Sequence, residues 1–270
     1  MREPLSVCVL VCDEAEALEA CLATVDWADE IVVVVDAKST DASEEVARRL
    51  ASRVEIRPYA GDVEQKRACA ALARHDWILI LDPDERVTPR LADSIRQALE
   101  RSGETGRGAD AGRERGPDGY RLDRVTHHLG RWIRHGDFYP DRKLRLYRRS
   151  RARWVGRDPH GRVEVEGRVI DLAGELEHYS YADLADQIRR IQFFSDQAAA
   201  SLVAEGIPFR LRRLLLHPPM RFLRSYWMRR GFLDGMPGLI IAGASAFYVF
   251  LKYAKQWERT RLPRDGTPLG

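Results

Sequence analysis

Three carboxylates stand directly behind an apolar run in this sequence. Residues Trp77 to Leu81 lead without a break into Asp82, Asp84 and Glu85. Side chains two apart on an extended segment project the same way, so Asp82 and Asp84 leave the strand together at its carboxyl end, the edge where open α/β sheets bind ligands. Such a pair repels unless a cation lies between the groups. Hard divalent cations such as Mg²⁺ take carboxylate oxygens and share the rest of their shell with phosphates. The same residues suit a second role, because Asp-Pro-Asp is a good turn and Asp84 can help to start the next helix. A further acid bears on the choice. Asp36 closes a run of four valines and has no local partner, whereas Asp41 reads mainly as a helix N-cap.

The elements that must carry these residues alternate. "LSVCVLVC" is a buried strand, and Leu18, Cys21, Leu22 and Val25 then mark one helix face. "EIVVVVD" is a second strand, followed by "STDASEEVARRL", in which Asp41 and Glu44 form a capped helix start. "RVEIRP", "EQKRACAALARH" and "WILILD" continue the series, and Thr88-Pro89 opens the helix "RLADSIRQALE". The expected fold is therefore α/β, a mostly parallel Rossmann-like sheet with flanking helices. The pattern breaks at residues 101–119, which are rich in Gly and charge and read as a mobile insertion. Short strands and turns follow to about Tyr181. From Asp183 the signal is helical. The expected division is a sheet domain over 1–181 and a helical C-terminal region over 182–270.

Composition limits the function. A chain of 270 residues, 44% hydrophobic, can bury a substantial core. Its net charge is only +3, but arginine dominates the second half, which favours an anionic partner there. Cys8, Cys12, Cys21 and Cys69 lack CxxC spacing and read as reduced thiols in a cytosolic protein. The N-terminal apolar run is too short for a signal peptide. No GxGxxG follows the first strand, which disfavours a dehydrogenase, and no nucleic-acid module is present.

Taken in order, "LSVCVLVCDEAEALEACL", "ADEIVVVVDAKSTDASEEVAR", "EQKRACA" and "DWILILDPDERVTPRL" resemble glycosyltransferase family 2 enzymes of GT-A fold. "HLGRWIRHGDFYPDRKLRLYRR", "EHYSYADLADQIRR" and "SAFYVFLKYAK" resemble the branch that holds lipopolysaccharide-core β-glucosyltransferases. The resemblance implies a nucleotide-diphosphate sugar donor, UDP-glucose in that branch, and a lipopolysaccharide-core or lipid-linked saccharide acceptor. It places Val11, Asp13, Glu14 and Asp36 around the nucleoside, with Asp36 accepting from the base. Gln65 and Lys66 come near the donor, the lysine at the diphosphate. Asp82 and Asp84 match the DxD acids that hold Mg²⁺ or Mn²⁺, Asp84 as the more direct ligand. The chain departs from the family pattern at Asp13, Lys38, Arg67 and Pro83. Gly161 stands where a His-Glu pair usually has its Glu, so any role of that Glu is lost.

Inverting transfer needs a base for the acceptor hydroxyl and a cation against the leaving diphosphate. The family places an acidic residue just before a strand like "RKLRLY", and Asp141 takes that place as the base. Its alternative is a structural salt bridge to Arg142 or Arg145. His160 reads either as a third metal ligand or as a hydrogen-bonded structural histidine. Trp132, Phe138 and Tyr139 suit either a sugar face or the core. The uncharged stretch from Gly235 to Leu251 is marginal for a spanning helix, and the arginines upstream of it lie among Leu, Phe, Trp and Met. Docking on the anionic inner face of the cell membrane is expected, against a helical cap packed on the sheet domain. The competing function is a catalytically impaired relative that serves as a membrane-associated binding protein.

Overall fold

A computed structural model describes residues 2–107, 116–156 and 161–262. The chain forms two compact units, Met1–Arg124 with Asp141–His178, and Val125–Pro140 with Tyr179–Gly270. The expected boundary at 181/182 lies close to the end of the first unit, and residues 125–140 go with the second.

The sheet unit begins with β1 (Leu5–Val11), α1 (Ala15–Leu22), β2 (Glu30–Asp36), α2 (Ser43–Leu50), β3 (Arg53–Arg57), α3 (Asp62–Leu72) and β4 (Trp77–Leu81). It continues through β5 (Glu85–Val87), α4 (Pro89–Arg107), β6 (Gly119–His128), β8 (Asp141–Arg148), β9 (Ala152–Val155), β10 (Arg162–Val165) and β11 (Val169–His178). The strand order is β3-β2-β1-β4-β8-β6-β11-β5, with β9 and β10 as a separate pair. The first four strands of that order are parallel, as their helical crossovers require. Past β4 the sheet turns antiparallel, since β8 pairs against both β4 and β6, and β5 against β11.

The central strands are apolar throughout because both sheet faces are covered. Val7, Val9, Val33, Val35, Leu79 and Leu81 face α1, α2 and α4 in one buried cluster. Cys8, Val32, Val34, Ile78 and Ile80 face α3, β9 and β10 in the other. Gly174, at φ +103°, lets β11 pass α4, since a Cβ there would lie 2.7 Å from the Leu91 backbone.

The insertion expected over 101–119 is corrected at both ends. Residues 101–107 prolong α4, and Gly119 opens β6. Within the added part Ser102 is buried and accepts a hydrogen bond from Arg148 Nη2 at 2.8 Å. Residues 108–115 lie outside the described residues.

The second unit is helical. It holds the end of β6 paired with β7 (Arg131–Ile133), then α5 (Leu184–Ala204), α6 (Leu211–Leu223) and α7 (Gly235–Arg261). Asp183 caps α5 by accepting from Asp186 N at 2.7 Å. The last turns of α7 are tied to its neighbours: Tyr253 OH meets His217 Nδ1 at 2.9 Å, and Gln256 Nε2 donates to Ile207 O at 2.7 Å.

Candidate active site

The parallel register brings the predicted residues to one sheet edge. Val11 pairs with Val35 and Val9 with Leu81, so Asp36 and Asp82 emerge at the carboxyl ends of β2 and β4. Asp36 is buried and engaged by the residue that departs from the family pattern: its Oδ1 accepts from Lys38 N at 3.1 Å, and its Oδ2 lies 3.4 Å from Lys38 Nζ. Asp13, at φ 53°, knits two loops together. Its Oδ1 accepts from Thr40 N at 2.7 Å, while Asp13 N donates to Ser39 Oγ at 3.0 Å. Thr40 N is the largest influence that holds the Asp13 carboxyl below its ordinary value. The N-cap of α2 is Ala42 rather than the expected Asp41, which stands one residue earlier and accepts from Ser43 N and from Ala15 N, the first amide of α1, each at 2.9 Å. Glu14 N donates to Ser43 Oγ at 3.1 Å, and Val11 is buried.

Beside this edge lies a cleft of about 430 Å³ that takes in Lys66, Asp82, Arg124, Arg145 and Trp154, and none of Val11, Asp13, Glu14 or Asp36. Lys66 Nζ sits 3.6 Å from Asp82 Oδ1, 3.1 Å from Asp62 Oδ2 and 5.5 Å from the centre of the Trp154 ring. Gln65 points away from the cleft. Its Nε2 donates to Pro58 O at 3.2 Å, and its buried Oε1 has no hydrogen-bond partner. Gly161 also lines the cleft, and a Cβ there would fall 2.1 Å from Val63 Cγ2. A glutamate at this position has no room unless Val63 moves.

Asp82 does not stand alone with Asp84. Arg145 Nη2 donates to Asp82 Oδ2 and lies 2.5 Å from Glu85 Oε1. Burial alone would raise the Asp82 carboxyl, but Arg145 and then Lys66 outweigh it and hold the group well below the usual carboxylate range. The Arg145 guanidinium is raised in turn, since Asp82 and Glu85 overcome the effect of its burial. Asp84 Oδ2 lies 3.3 Å from His178 Nε2, at the end of β11. Asp82 and Asp84, separated by Pro83, are the kind of oxygen donors that Mg²⁺ or Mn²⁺ takes alongside phosphate and water, but here Asp82 meets Arg145 and Lys66 and Asp84 meets His178. His178 is the imidazole beside them. His160 lies outside the described residues, and among those described no group of three His, Cys, Asp or Glu converges as a ready-made metal cage.

Asp141 opens β8 and is paired, though with neither arginine named from the sequence. Arg124 Nη2 lies 2.7 Å from Asp141 Oδ2, and Lys143 Nζ lies 3.0 Å from Oδ1. Burial would raise the Asp141 carboxyl, yet Arg124 and then Lys143 bring it below its ordinary value. Arg142 pairs instead with Asp123 and Asp171, at 3.0 and 2.9 Å. Glu85, Arg124, Arg145 and His178 are the site residues that sequence reasoning left unassigned. The available signal was Glu85, one residue past the paired aspartates, together with Lys143 and Arg145 at alternate positions of "RKLRLY". Trp132 makes edge contacts with His127 and Tyr179, and Phe138 stacks on Tyr181 at 5.9 Å, all within the helical unit.

The sequence model for Glycosyl transferase family 2 matches residues 6–160. The chain belongs to glycosyltransferase family 2. It is 27% identical over 270 residues to an uncharacterized glycosyltransferase of Rickettsia felis, covering 94% of this chain and 89% of that one. It is also 27% identical to the lipopolysaccharide core biosynthesis glycosyltransferase LpsC of Rhizobium meliloti, covering 96% of this chain and 94% of the relative. A mannosyltransferase of Pyrobaculum calidifontis, solved with GDP-Man and Mn²⁺, superposes with a TM-score of 0.51 at 13% identity, over 97% of this chain and 89% of that one. That likeness is one of fold. The glycosyltransferase thus has a GT-A-like sheet, with Asp82 and Asp84 following the carboxyl end of β4.

Proposed function

We propose that this glycosyltransferase moves glucose, with inversion, from UDP-glucose to a lipopolysaccharide-core or lipid-linked saccharide held at the cytoplasmic face of the membrane. The observation that carries the reading is the placing of Lys66 and Asp82 at 3.6 Å on a strand-end cleft, with Asp84 two residues on. Similarity to a lipopolysaccharide core transferase along nearly the whole chain supports the acceptor class.

Asp36 and the loops after β1 and β2 take the nucleoside, and Lys66 meets the diphosphate. Asp82 and Asp84 would hold Mg²⁺ or Mn²⁺, which when bound would supply positive charge where the diphosphate leaves. Asp141 accepts the proton of the acceptor hydroxyl as the new bond to the anomeric carbon forms and the bond to the diphosphate breaks. The cations beside Asp141 keep it ionised at neutral pH. They also make it a weak base, so its proton transfer comes late, as the leaving group departs.

The helical unit supplies the membrane contact. Between Gly206 and Leu233 the chain has seven arginines and no acidic residue. Helix α6 buries none of its side chains, and Leu216, Met220, Leu223 and Trp227 follow helical spacing while more than half exposed. Such a stripe, flanked by cations, suits an anionic lipid surface. Arg221 and Arg229 are otherwise engaged, 3.0 and 3.7 Å from the buried carboxylate of Asp137. That leaves Arg210, Arg212, Arg213, Arg224 and Arg230 to meet headgroups. The segment Gly231–Arg261 is long and apolar enough to cross a membrane, but its ties to α5 and α6 support docking.

Incubation with a panel of nucleotide sugars and Mg²⁺ or Mn²⁺, followed by measurement of released nucleotide, tests the reading. Release from UDP-glucose alone is expected, and preference for another donor overturns the donor assignment. Flotation with anionic liposomes tests the docking. Arg212→Glu, Arg213→Glu and Arg224→Glu together should release the chain, and unchanged flotation refutes the role of these arginines.

A further inference from the structure

The charged groups of the sheet unit form one continuous chain of alternating sign. It runs Lys66, Asp82, Arg145, Glu85, Arg124, Asp141 and Lys143, every link a salt bridge. One end is the diphosphate side of the cleft and the other is the base. Glu85 is the middle member and its side chain is wholly buried. One of its oxygens, Oε1, lies 2.5 Å from Arg145 Nη2 and 3.0 Å from Arg124 Nη1. The other, Oε2, accepts from Asp82 N at 3.0 Å and so fixes the turn that carries both aspartates.

A buried carboxylate between the buried guanidinium of Arg145 and the half-buried one of Arg124 is more than a local pair. Without it the two arginines repel each other in a poorly solvated place, and each turns more fully to its remaining acid. The groups facing Asp141 are Arg124 on β6 and Lys143 on β8. Arg124 is the one whose charge is shared with Glu85.

We propose that Glu85 is a positioning residue that holds Arg145 at Asp82 and Arg124 at Asp141 at the same time, and so sets how much of the Arg124 charge the proton acceptor feels. The proposal rests on the reading of Asp141 as the base. It links the two ends of the site through Glu85, whose side chain is wholly buried and lies outside the lining of the cleft. Glu85 removes part of the Arg124 charge from Asp141 and keeps that acid more basic than its two cations alone would allow.

The test is the pH dependence of kcat in the full chain, with folding followed by circular dichroism and donor binding by titration with UDP and Mn²⁺. In the wild type, an acid limb in the profile that is lost in Asp141→Asn reports the base. Glu85→Gln should leave the limb in place but move it to lower pH and reduce kcat by about tenfold, a small part of what a positioned base supplies, with UDP affinity within about threefold. Arg124→Gln should move the limb the opposite way, to higher pH. It reads the same link if Glu85→Gln does not fold. A limb present in the wild type and unmoved by either substitution overturns the inference and leaves the base assignment standing. Absence of the limb in the wild type, or its survival in Asp141→Asn, overturns the base assignment itself.

Discussion

The two units differ in what they leave exposed. The sheet unit draws charge inward: Glu85 and Arg145 are buried beside the cleft, and Asp36 is buried at the next strand end. The helical unit sends apolar side chains outward. Among the described residues, Ile56 and Tyr59 are the large hydrophobics exposed on the sheet unit, while Leu211, Leu216, Met220, Trp227, Met228 and Met236 are some of those exposed on the helical one. Buried charge is costly unless paired, and exposed apolar surface is costly unless something covers it. The sheet unit buries paired charge beside its cleft, and the helical unit leaves large apolar side chains exposed.

The contrast breaks if charge in the sheet unit proves idle. Asp141→Asn should lower kcat by on the order of 10²- to 10⁴-fold, with UDP binding and flotation both retained; single-turnover assays on the purified chain check this. Asp84→Asn should cost on the order of 10²- to 10³-fold and weaken the response to Mn²⁺, as expected for one lost charge-stabilising group. If Asp84→Asn keeps full activity, the metal assignment is wrong.

A second pair of variants sharpens the contrast through stability. Leu79→Ala empties part of the buried core and should cost about 2–5 kcal/mol in urea unfolding. Leu216→Ala, 56% exposed at present, should change stability by no more than about 0.5 kcal/mol and yet weaken flotation. Equal destabilisation by the two would mean that α6 packs on a partner face rather than on lipid.

The smallest effect is that of pH on stability. Asp82 and Asp141 both titrate below their ordinary value, since Arg145 and Arg124 respectively outweigh the effect of burial. A depressed carboxyl stabilises the fold above its unfolded value, at about pH 4, and that contribution disappears as pH falls toward the folded value. The melting temperature should therefore drop below about pH 4, and Arg124→Gln should flatten the drop.

Much of the fold was legible because strands buried on both faces leave unbroken apolar runs: "EIVVVVD" corresponds to β2 and "WILIL" to β4. The antiparallel half was harder to read, since its strands are only partly buried and mix charge with apolar residues. At the site, strand ends and spacing pointed to Asp36, Asp82 and Asp84. Spacing had nothing to say of their partners. Arg145 lies 60 residues from Glu85 along the chain, and its ion pair exists only because β8 inserts beside β4.

By itself the sequence determined which residues end the parallel strands, where the helical region begins, and that arginine outnumbers acid near the C-terminus. Those are local matters of burial, periodicity and composition, and each can be read within a few turns of chain. Tertiary structure alone decided that Asp141 is held by Arg124 and Lys143, that Asp84 faces His178, and that Arg221 and Arg229 serve Asp137. The physical reason is that an ion pair depends on distance in space and on the water excluded around it, and both are properties of strand order and packing.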